Sequence, residues 1–350
     1  VEAYLRQTAL ANPHVLIRYK DPKGDVTEFS RATKTLPEEA EEIKPHPYGV
    51  EVGMLLRMAK STNSRQLKGF FQTEFSRVGP KAAKSIVEGA GLLTTTSPKR
   101  VTPEAAERLI GVIRKTKIPS PPTNCLSPIG EERIEASLRE QFPDAGFYTA
   151  VTRTPSVYRG NPFQVEMGIA YGGALPADEL ATVYRYANRV PLQYQAGACA
   201  VSKAVLQTNW RSYGLQQSRG ALPTAPMVVM VHIASVWVPF TSESKEAVAS
   251  YDEILKEFKL ASFDPVLAHM LGRRPELLRF AMLVLLALTI VVSLQTVGVG
   301  LVAAMLVTPA ATAYLLTRRL ATMMLIAALV GATASVVGLY VSYYLDVASG

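Results

Sequence analysis

The sequence predicts an α+β protein with a helical insert, followed by an all-α segment of about three transmembrane spans. Three observations lead to this prediction. Apolar positions recur at helical spacing in residues 49–118, whereas residues 119–261 alternate between strand-like and helix-like runs. The chain then carries no charged residue from Phe280 to Thr317, although charged residues make up 19% of the whole sequence.

The composition limits the class of protein further. A chain of 350 residues is long enough for two or three domains. Its two cysteines, Cys125 and Cys199, cannot form a disulfide framework, which favours a reducing, cytosolic compartment. The mean hydropathy is slightly positive, as expected if a soluble portion and a membrane portion are joined.

Residues 1–48, the N-terminal segment, predict a short helix and a β-hairpin. The runs HVLIRYK and VTEFSRAT alternate in polarity and are joined by the turn sequence DPKGD. The acidic, proline-containing linker LPEEAEEIKPHP follows. Because the chain opens inside the helical pattern VEAYLRQTALANP, we expect it to begin within a longer protein.

Residues 49–118, the helical insert, are predicted to form helices with a basic surface. In VTPEAAERLIGVIRKTK, Thr102 is a predicted N-cap and Pro103 a first-turn proline. The insert has thirteen basic and five acidic residues, so it accounts for the whole net charge of +8. This charge suggests a polyanion partner such as DNA; a solvated helical face is the alternative. The candidate DNA contacts are Arg65, Lys68, Arg77, Lys81 and Lys84.

Residues 119–261, the sheet domain, alternate strands with helices. The strand candidates are FYTAVTRTPSVY, FQVEMGIAYGG and APMVVMVHIASVWVPF. The helix candidates are GEERIEASLREQF, ACAVSKAVLQTNW and ESKEAVASYDEILKEFKLA. An apolar stripe runs along the last helix, formed by Ala247, Val248, Tyr251, Ile254, Leu255 and Phe258. We expect a sheet with one face covered by helices.

Residues 262–350, the C-terminal segment, are predicted to cross a membrane. The uncharged run has room for two short spans, and a third is expected from about Leu320 to Leu345. The flanking arginines then lie on one side, in agreement with the positive-inside rule. They are Arg273, Arg274, Arg279, Arg318 and Arg319. The alternative is a buried helical hairpin of a soluble protein.

The side-chain chemistry does not by itself indicate an activity. The histidines are scattered and are not paired with carboxylates at ligand spacing, so no metal site is predicted. They are His14, His46, His232 and His269. His232, inside a predicted strand, is interpreted as a core residue rather than a ligand. No Ser-His-Asp arrangement or phosphate-binding glycine loop is present, so no catalytic residue is predicted.

Residues 1–261 resemble the B subunit of DNA topoisomerase VI, a type IIB enzyme of the GHKL family. Long collinear stretches carry the resemblance, among them TALANPHVLIRYKDPKGDV, KPHPYGVEVGMLLRMAK, EFSRVGPKAAKSIVEGAGL, AVTRTPSVYRGNPFQVEMGIAYGG and VPFTSESKEAVA. The resemblance implies that the N-terminal segment is the tail of a GHKL ATPase domain and the insert a helix-two-turn-helix domain. It also implies that the sheet domain is a transducer of ribosomal S5 domain 2-like fold.

The resemblance further implies a mechanism and partners. The B subunit relays ATP-driven dimerisation to an A subunit whose tyrosine cuts DNA, so the implied partners are DNA, the A subunit and a second B subunit in a heterotetramer. ATP and magnesium serve the complete enzyme, but the family's nucleotide pocket lies upstream of these residues, so we expect no cofactor for this chain alone. One transducer lysine carries over, Lys245 in TSESKEA, which is expected at a helix N-terminus to sense the ATP γ-phosphate.

Residues 262–350 resemble a different family, the permease subunit of a metal-type (zinc, manganese or iron) ABC transporter. The resemblance rests on SFDPVLAHMLGR, LALTIVVSLQTVGVGLVAAMLVTPAATAYLLTRRL and VGLYVSYYLDVASG. It implies a lipid bilayer in the inner membrane and an ABC ATPase subunit as partners, the latter docking near Phe263-Asp264-Pro265. Two alternatives to a topoisomerase fragment thus stay open: a permease component, or a chimera joined near Ala261-Ser262 with neither activity intact.

Overall fold

The computed structural model describes residues 1–263, 299–317 and 320–345, together with Val284, Ala287 and Leu288. The chain divides into two compact units, Val1–Gly272 and Arg273–Gly350. His269 and the five arginines that flank the predicted spans lie outside the described residues.

In the N-terminal segment, helix α1 (Glu2–Ala11) precedes an antiparallel hairpin of strands β1 (Ile17–Lys20) and β2 (Val26–Phe29). The predicted helix and hairpin are therefore confirmed. The carboxylate of Asp21 closes the hairpin turn, because its Oδ1 accepts hydrogen bonds from two backbone N–H groups of the turn, both at 2.8 Å.

The helical insert contains four helices around a core of its own. They are α2 (Val52–Ser61), α3 (Leu67–Glu74), α4 (Pro80–Gly89) and α5 (Pro103–Ile113). Three phenylalanines lie at the centre of this core, Phe70, Phe71 and Phe75, with ring centroids 5.2 to 5.5 Å apart. The predicted cap is also confirmed, since Thr102 Oγ1 accepts a hydrogen bond from the backbone N–H of Ala105 at 3.3 Å.

The sheet domain is built on a mixed six-stranded sheet. Its strands are β3 (Phe147–Thr152), β4 (Ser156–Tyr158), β5 (Asn161–Tyr171), β6 (Thr182–Ala187), β7 (Val190–Pro191) and β10 (Met227–Ser235). The main strand order is β3-β5-β10-β6-β7, and β4 pairs with β5. Strand β10 runs antiparallel to β5 and parallel to β6. Two short strands, β8 (Gln216–Gln217) and β9 (Pro223–Thr224), form a separate ribbon.

Helices cover both faces of this sheet, so the prediction of a single covered face is wrong. Helices α7 (Ala200–Gln207) and α8 (Asp252–Phe263) share one core with alternate residues of β5 and β10. Helices α1 and α6 (Glu131–Gln141) share a second core with the intervening residues. The sequence indicated this arrangement, because β10 begins with the apolar run MVVMV. In the structure all nine residues of β10 are buried, as expected of a strand covered on both faces.

Helix α1 is thus an integral part of the sheet domain's packing. Leu10 and Ala11 are buried in the second core together with Ile134 and Leu138 of α6. The hydroxyl of Ser137 donates a hydrogen bond to the carbonyl oxygen of Leu10 at 2.8 Å. The N-terminal segment therefore cannot be removed without exposing this core.

Helix α8 begins at Asp252, nine residues after the predicted start at Glu243. Ala247 and Val248 are fully buried, as the apolar stripe predicted, but they lie in an irregular segment in which Val248 forms an antiparallel bridge with Phe240. Helix α8 then continues to Phe263, across the position at which the two family resemblances meet.

The C-terminal unit contains helices α9 (Val299–Leu316) and α10 (Leu320–Leu345) among its described residues. No helix in the described part of the chain combines the length and the apolarity needed to cross a membrane. The predicted transmembrane segment of three spans is therefore wrong. The prediction counted uncharged residues, and a run of them need not form one apolar helix of sufficient length: α9 has 18 residues and contains Pro309. Most of the first predicted span lies outside the described residues.

Candidate functional site

The candidate DNA contacts lie on and around the α3–turn–α4 unit of the helical insert. Arg65 precedes α3, and Lys68 lies in its first turn. Arg77 lies in the turn between the helices, and Lys81 and Lys84 lie in the first half of α4. All of them are exposed except Lys68, which is half-buried. Folding therefore brings the five predicted contacts onto one helical unit.

The charge at the start of α4 is poorly balanced within the insert. Its first turn contains Pro80, Lys81 and no acidic residue, so cations stand at the positive end of the helix dipole. Lys84 pairs with Glu88 at 3.8 Å, but both side chains are more than half exposed, so this pair contributes little stability. The surface is therefore able to accept an anion.

Lys245 lies at the exposed tip of a loop between β10 and α8, and not at a helix N-terminus as predicted. Its backbone is left-handed, with φ of +57°, a conformation that lysine adopts at an energetic cost. Its backbone N–H donates to the carbonyl oxygen of Ser242 at 3.2 Å, and the hydroxyls of Ser242 and Ser244 lie 2.8 Å apart. The tip is thus a compact, hydroxyl-rich turn that presents one cation to solvent.

The base of this loop is held firmly. Backbone hydrogen bonds join Thr241 N–H to the Ala247 carbonyl at 2.9 Å and Ala249 N–H to the Pro239 carbonyl at 2.7 Å. These bonds join the two ends of the loop to each other, and the Val248 carbonyl oxygen accepts the backbone N–H of Ala200 at 2.8 Å, which ties the base of the loop to α7.

A buried hydrogen-bond cluster fixes the start of the sheet domain to its sheet. The carboxylate of Glu166 on β5 accepts hydrogen bonds from the backbone N–H groups of Ile129 and Gly130, from Thr152 Oγ1 and from His232 Nδ1, at 2.7 to 2.8 Å. Glu166 and His232 are fully buried. His232 is therefore a core residue, as predicted.

The protonation of this cluster follows from its contacts. Burial raises the pKa of Glu166, but the hydrogen bonds from His232 and from the backbone N–H groups of Ile129 and Gly130 outweigh burial, so the pKa is lowered overall. His232 Nε2 accepts the backbone N–H of Arg189 at 3.0 Å, which assigns the proton to Nδ1. The sequence spacing did not predict this cluster, because its members are far apart along the chain.

His46 also makes structural contacts. His46 is buried, and its Nε2 lies 3.0 Å from the Pro119 carbonyl oxygen while its Nδ1 accepts the Tyr48 backbone N–H. Burial is the main cause that lowers the pKa of both His46 and His14. Among the described residues, no three side chains of the His, Cys, Asp and Glu types are grouped closely enough to hold a metal ion.

Comparison with known proteins gives two separate similarities. A family model described as Topoisomerase VI B subunit, transducer, matches residues 121–270, which contain the whole six-stranded sheet. A second model, ABC 3 transport family, matches residues 249–350. The two matches overlap within residues 249–270, where α8 lies.

Curated relatives extend the first similarity to the N-terminal segment and the insert. The B subunit of type 2 DNA topoisomerase 6 from Archaeoglobus fulgidus is 47% identical over 261 residues, which cover 75% of this chain and 43% of that protein. Its counterpart from Methanococcoides burtonii is 47% identical over 258 residues, covering 74% and 41%. The counterpart from Methanothermobacter thermautotrophicus is 38% identical over 264 residues, covering 74% and 50%. The chain thus spans half or less of the length of these relatives. Over its first three quarters, this chain is therefore similar to the B subunit of DNA topoisomerase VI, and its sheet domain is similar to that subunit's transducer.

Proposed function

We propose that residues 1–263 act as part of the B subunit of an ATP-dependent type IIB DNA topoisomerase in the cytoplasm. In this proposal, the sheet domain relays an ATP-driven conformational change to a DNA-cleaving A subunit, and a second B subunit completes the assembly. The observation that carries the proposal is the Lys245 loop, in which an exposed cation stands on a base anchored in a transducer-like domain.

Lys245 would sense the terminal phosphate of ATP. A lysine ammonium is a compact point charge on a flexible stem, which suits a terminal phosphate held by another domain. A charge-assisted hydrogen bond of this kind contributes about 1.5–3 kcal/mol. The loop would be drawn toward the nucleotide before hydrolysis and released after the γ-phosphate leaves.

The contacts around the loop provide a route for this movement. The carbonyl oxygen of Val248 accepts the backbone N–H of Ala200, the first residue of α7, at 2.8 Å. Lys203 Nζ of α7 donates to Ser250 Oγ at 3.0 Å, just before α8 begins. A displacement of Lys245 would therefore act on α7, α8 and the end of β10 together.

In this proposal, magnesium and the rest of the nucleotide would be bound by other parts of the enzyme. This chain would contribute the ammonium group of Lys245 and the sheet domain that carries its loop. DNA would meet the α3–turn–α4 surface, where Arg65, Arg77 and Lys81 are exposed.

The test replaces the matching 261 residues of the Archaeoglobus protein with those of this chain and measures nucleotide affinity. Lys245→Ala should keep the affinity for ADP and lose about 10- to 150-fold of the preference for ATP. Lys256→Ala is the matched control, an exposed lysine on α8, and should change neither. An unchanged ATP preference in a folded Lys245→Ala hybrid would refute phosphate sensing.

A further inference from the structure

A cleft of about 900 Å³ lies between the helical insert and the sheet domain. Its walls are formed by the start of α2, the end of α5, the β4–β5 turn, and the aromatic residues Trp237 and Tyr251. None of the five candidate DNA contacts on α3 and α4 lines it. We propose that this cleft binds single-stranded DNA, with a base against Trp237 and the backbone phosphates against three arginines.

The charge in the cleft is strongly one-sided. Arg57, Arg114 and Arg159 line it together with a single acidic residue, Glu51. All three arginines are exposed, and none forms an ion pair with a carboxylate of the described residues. An arginine guanidinium matches phosphate geometry and is already weakly hydrated, so three such groups favour a chain of phosphates.

Trp237 provides a surface on which a base can stack. Its side chain is 47% exposed, whereas Trp210 is fully buried and its Nε1 donates to the Val205 carbonyl oxygen at 2.8 Å. A large aromatic side chain left half in solvent at the wall of a cationic cleft is the combination found in single-strand binding grooves.

The backbone conformation of Arg159 supports a role for its side chain. Arg159 and Gly160 form the two-residue turn between β4 and β5, with φ values of +46° and +74°. The first central position of such a turn normally holds Asn, Asp or Gly. Arginine nevertheless occupies this position, and its guanidinium lies over the stacked rings of Tyr158 and Tyr251, 5.4 and 5.6 Å from their centroids.

Close backbone packing fixes this turn in place. A Cβ at Gly160 would lie 2.7 Å from the backbone nitrogen of Gly49 and 3.0 Å from His46 Nδ1, and a Cβ at Gly49 would lie 2.7 Å from the Arg159 carbonyl oxygen. The turn therefore presses directly against the segment that leads into α2. Arg159 is consequently held at a defined place in the cleft before any ligand binds.

Single-stranded DNA is the occupant that satisfies both kinds of group. In a duplex the faces of the bases are covered by their neighbours, so an aromatic platform cannot reach them, whereas an unpaired strand exposes both its bases and its phosphates. An acidic peptide would use the arginines but would leave Trp237 without a partner. The inference rests on the proposed function only in taking DNA as the ligand.

The test uses the whole chain and a twelve-nucleotide thymidine oligomer, with tryptophan fluorescence as the readout. Because Trp210 is buried, quenching reports on Trp237. Quenching should saturate and weaken with salt, and Trp237→Ala should abolish it while lowering affinity about 5- to 150-fold, as measured by anisotropy of a labelled oligomer.

Two double variants distinguish binding in the cleft from nonspecific attraction to the basic surface. Arg57→Glu with Arg114→Glu should reduce affinity far more than Lys60→Glu with Lys115→Glu, which makes the same charge change at neighbouring exposed positions that do not line the cleft. Equal losses in the two pairs would overturn the proposal, and so would equal quenching by a duplex of the same length or full competition by oligoglutamate. Lys245→Ala should leave the quenching unchanged, so a failure of phosphate sensing is distinguishable from a failure of this site.

Discussion

Replacing Glu166 with glutamine should lower the free energy of unfolding of the sheet domain by more than a substitution at the surface does. The carboxylate receives four hydrogen bonds with no exposure to solvent. A glutamine has one oxygen acceptor, so its NH₂ group must face one of the two pairs of donors. Thr152 can rotate its hydroxyl to accept, but a backbone N–H or the His232 N–H cannot.

The expected magnitude follows from these contacts. If the amide nitrogen takes the position near Gly130 and Thr152, one buried backbone N–H is left unpaired, which costs about 1–3 kcal/mol. The hydrogen bonds from Ile129 and His232 then go to a neutral amide oxygen instead of a carboxylate, which weakens each of them by about 1 kcal/mol. The free energy of unfolding at pH 7 should therefore fall by about 3–5 kcal/mol, the sum of these contributions.

The effect should depend on pH in one direction. Because the folded-state pKa of Glu166 is lowered from its ordinary value of 4.5, its ionised form contributes stability above pH 4.5, and this is lost as the pH falls through the folded-state pKa. The difference between the wild-type chain and Glu166→Gln should therefore be largest near neutrality and shrink below pH 4.5.

Urea unfolding, followed by the fluorescence of Trp210 in a Trp237→Phe background, measures this difference. Glu28→Gln is the matched control, because Glu28 pairs with Arg18 at 2.7 Å but keeps 41% of its side chain exposed, and it should change the unfolding free energy by less than about 1 kcal/mol. A Glu166→Gln deficit below about 1 kcal/mol, or one that grows on acidification, would refute the reasoning.

Four other changes test further consequences of the structure. Leu10→Ala should lower the unfolding free energy by about 2–5 kcal/mol in urea, because Leu10 is buried against α6; a fragment that begins at residue 49 should be less stable for the same reason, and an equally stable fragment would contradict this packing. Gly168→Ala should cost about 1–3 kcal/mol, since the added Cβ would lie 2.8 Å from Leu138 Cδ1; full stability would show that α6 can shift freely. Reversing the charges of Arg65, Lys68, Lys81 and Lys84 should flatten the salt dependence of DNA binding by about 0.9 for each phosphate that is no longer neutralised, whereas an unchanged slope would leave these charges as a solvated face.

Local signals in the sequence were sufficient for elements whose ends are set by their own residues. Thr102 and Pro103 mark the start of α5, and the DPKGD turn marks the β1–β2 hairpin, because caps and turns are decided by a few neighbouring side chains. The nearly continuous apolar run of β10, which is interrupted by His232, likewise indicated that this strand is buried. The coverage of both sheet faces could have been inferred from that run alone.

Features that depend on distant residues could not be inferred in this way. Ala247 and Val248 continue the apolar spacing of α8, but a bridge to Phe240 buries them outside the helix, so the start of α8 was misplaced and Lys245 with it. The Glu166 cluster and the cleft at Trp237 each join residues that only the folded chain brings together. In the C-terminal segment, the lack of charged residues is a property of the composition. It did not by itself establish helices that cross a membrane.

The central claim is that the first three quarters of this chain can serve as the relaying part of a topoisomerase VI enzyme. The most direct measurement is ATP-dependent relaxation of supercoiled DNA by the Archaeoglobus hybrid that carries these residues, assembled with its A subunit. The account predicts relaxation that requires ATP and that falls strongly in the Lys245→Ala hybrid but not in the Lys256→Ala hybrid. A hybrid that folds, binds ATP and assembles with the A subunit, yet relaxes no DNA, would contradict it.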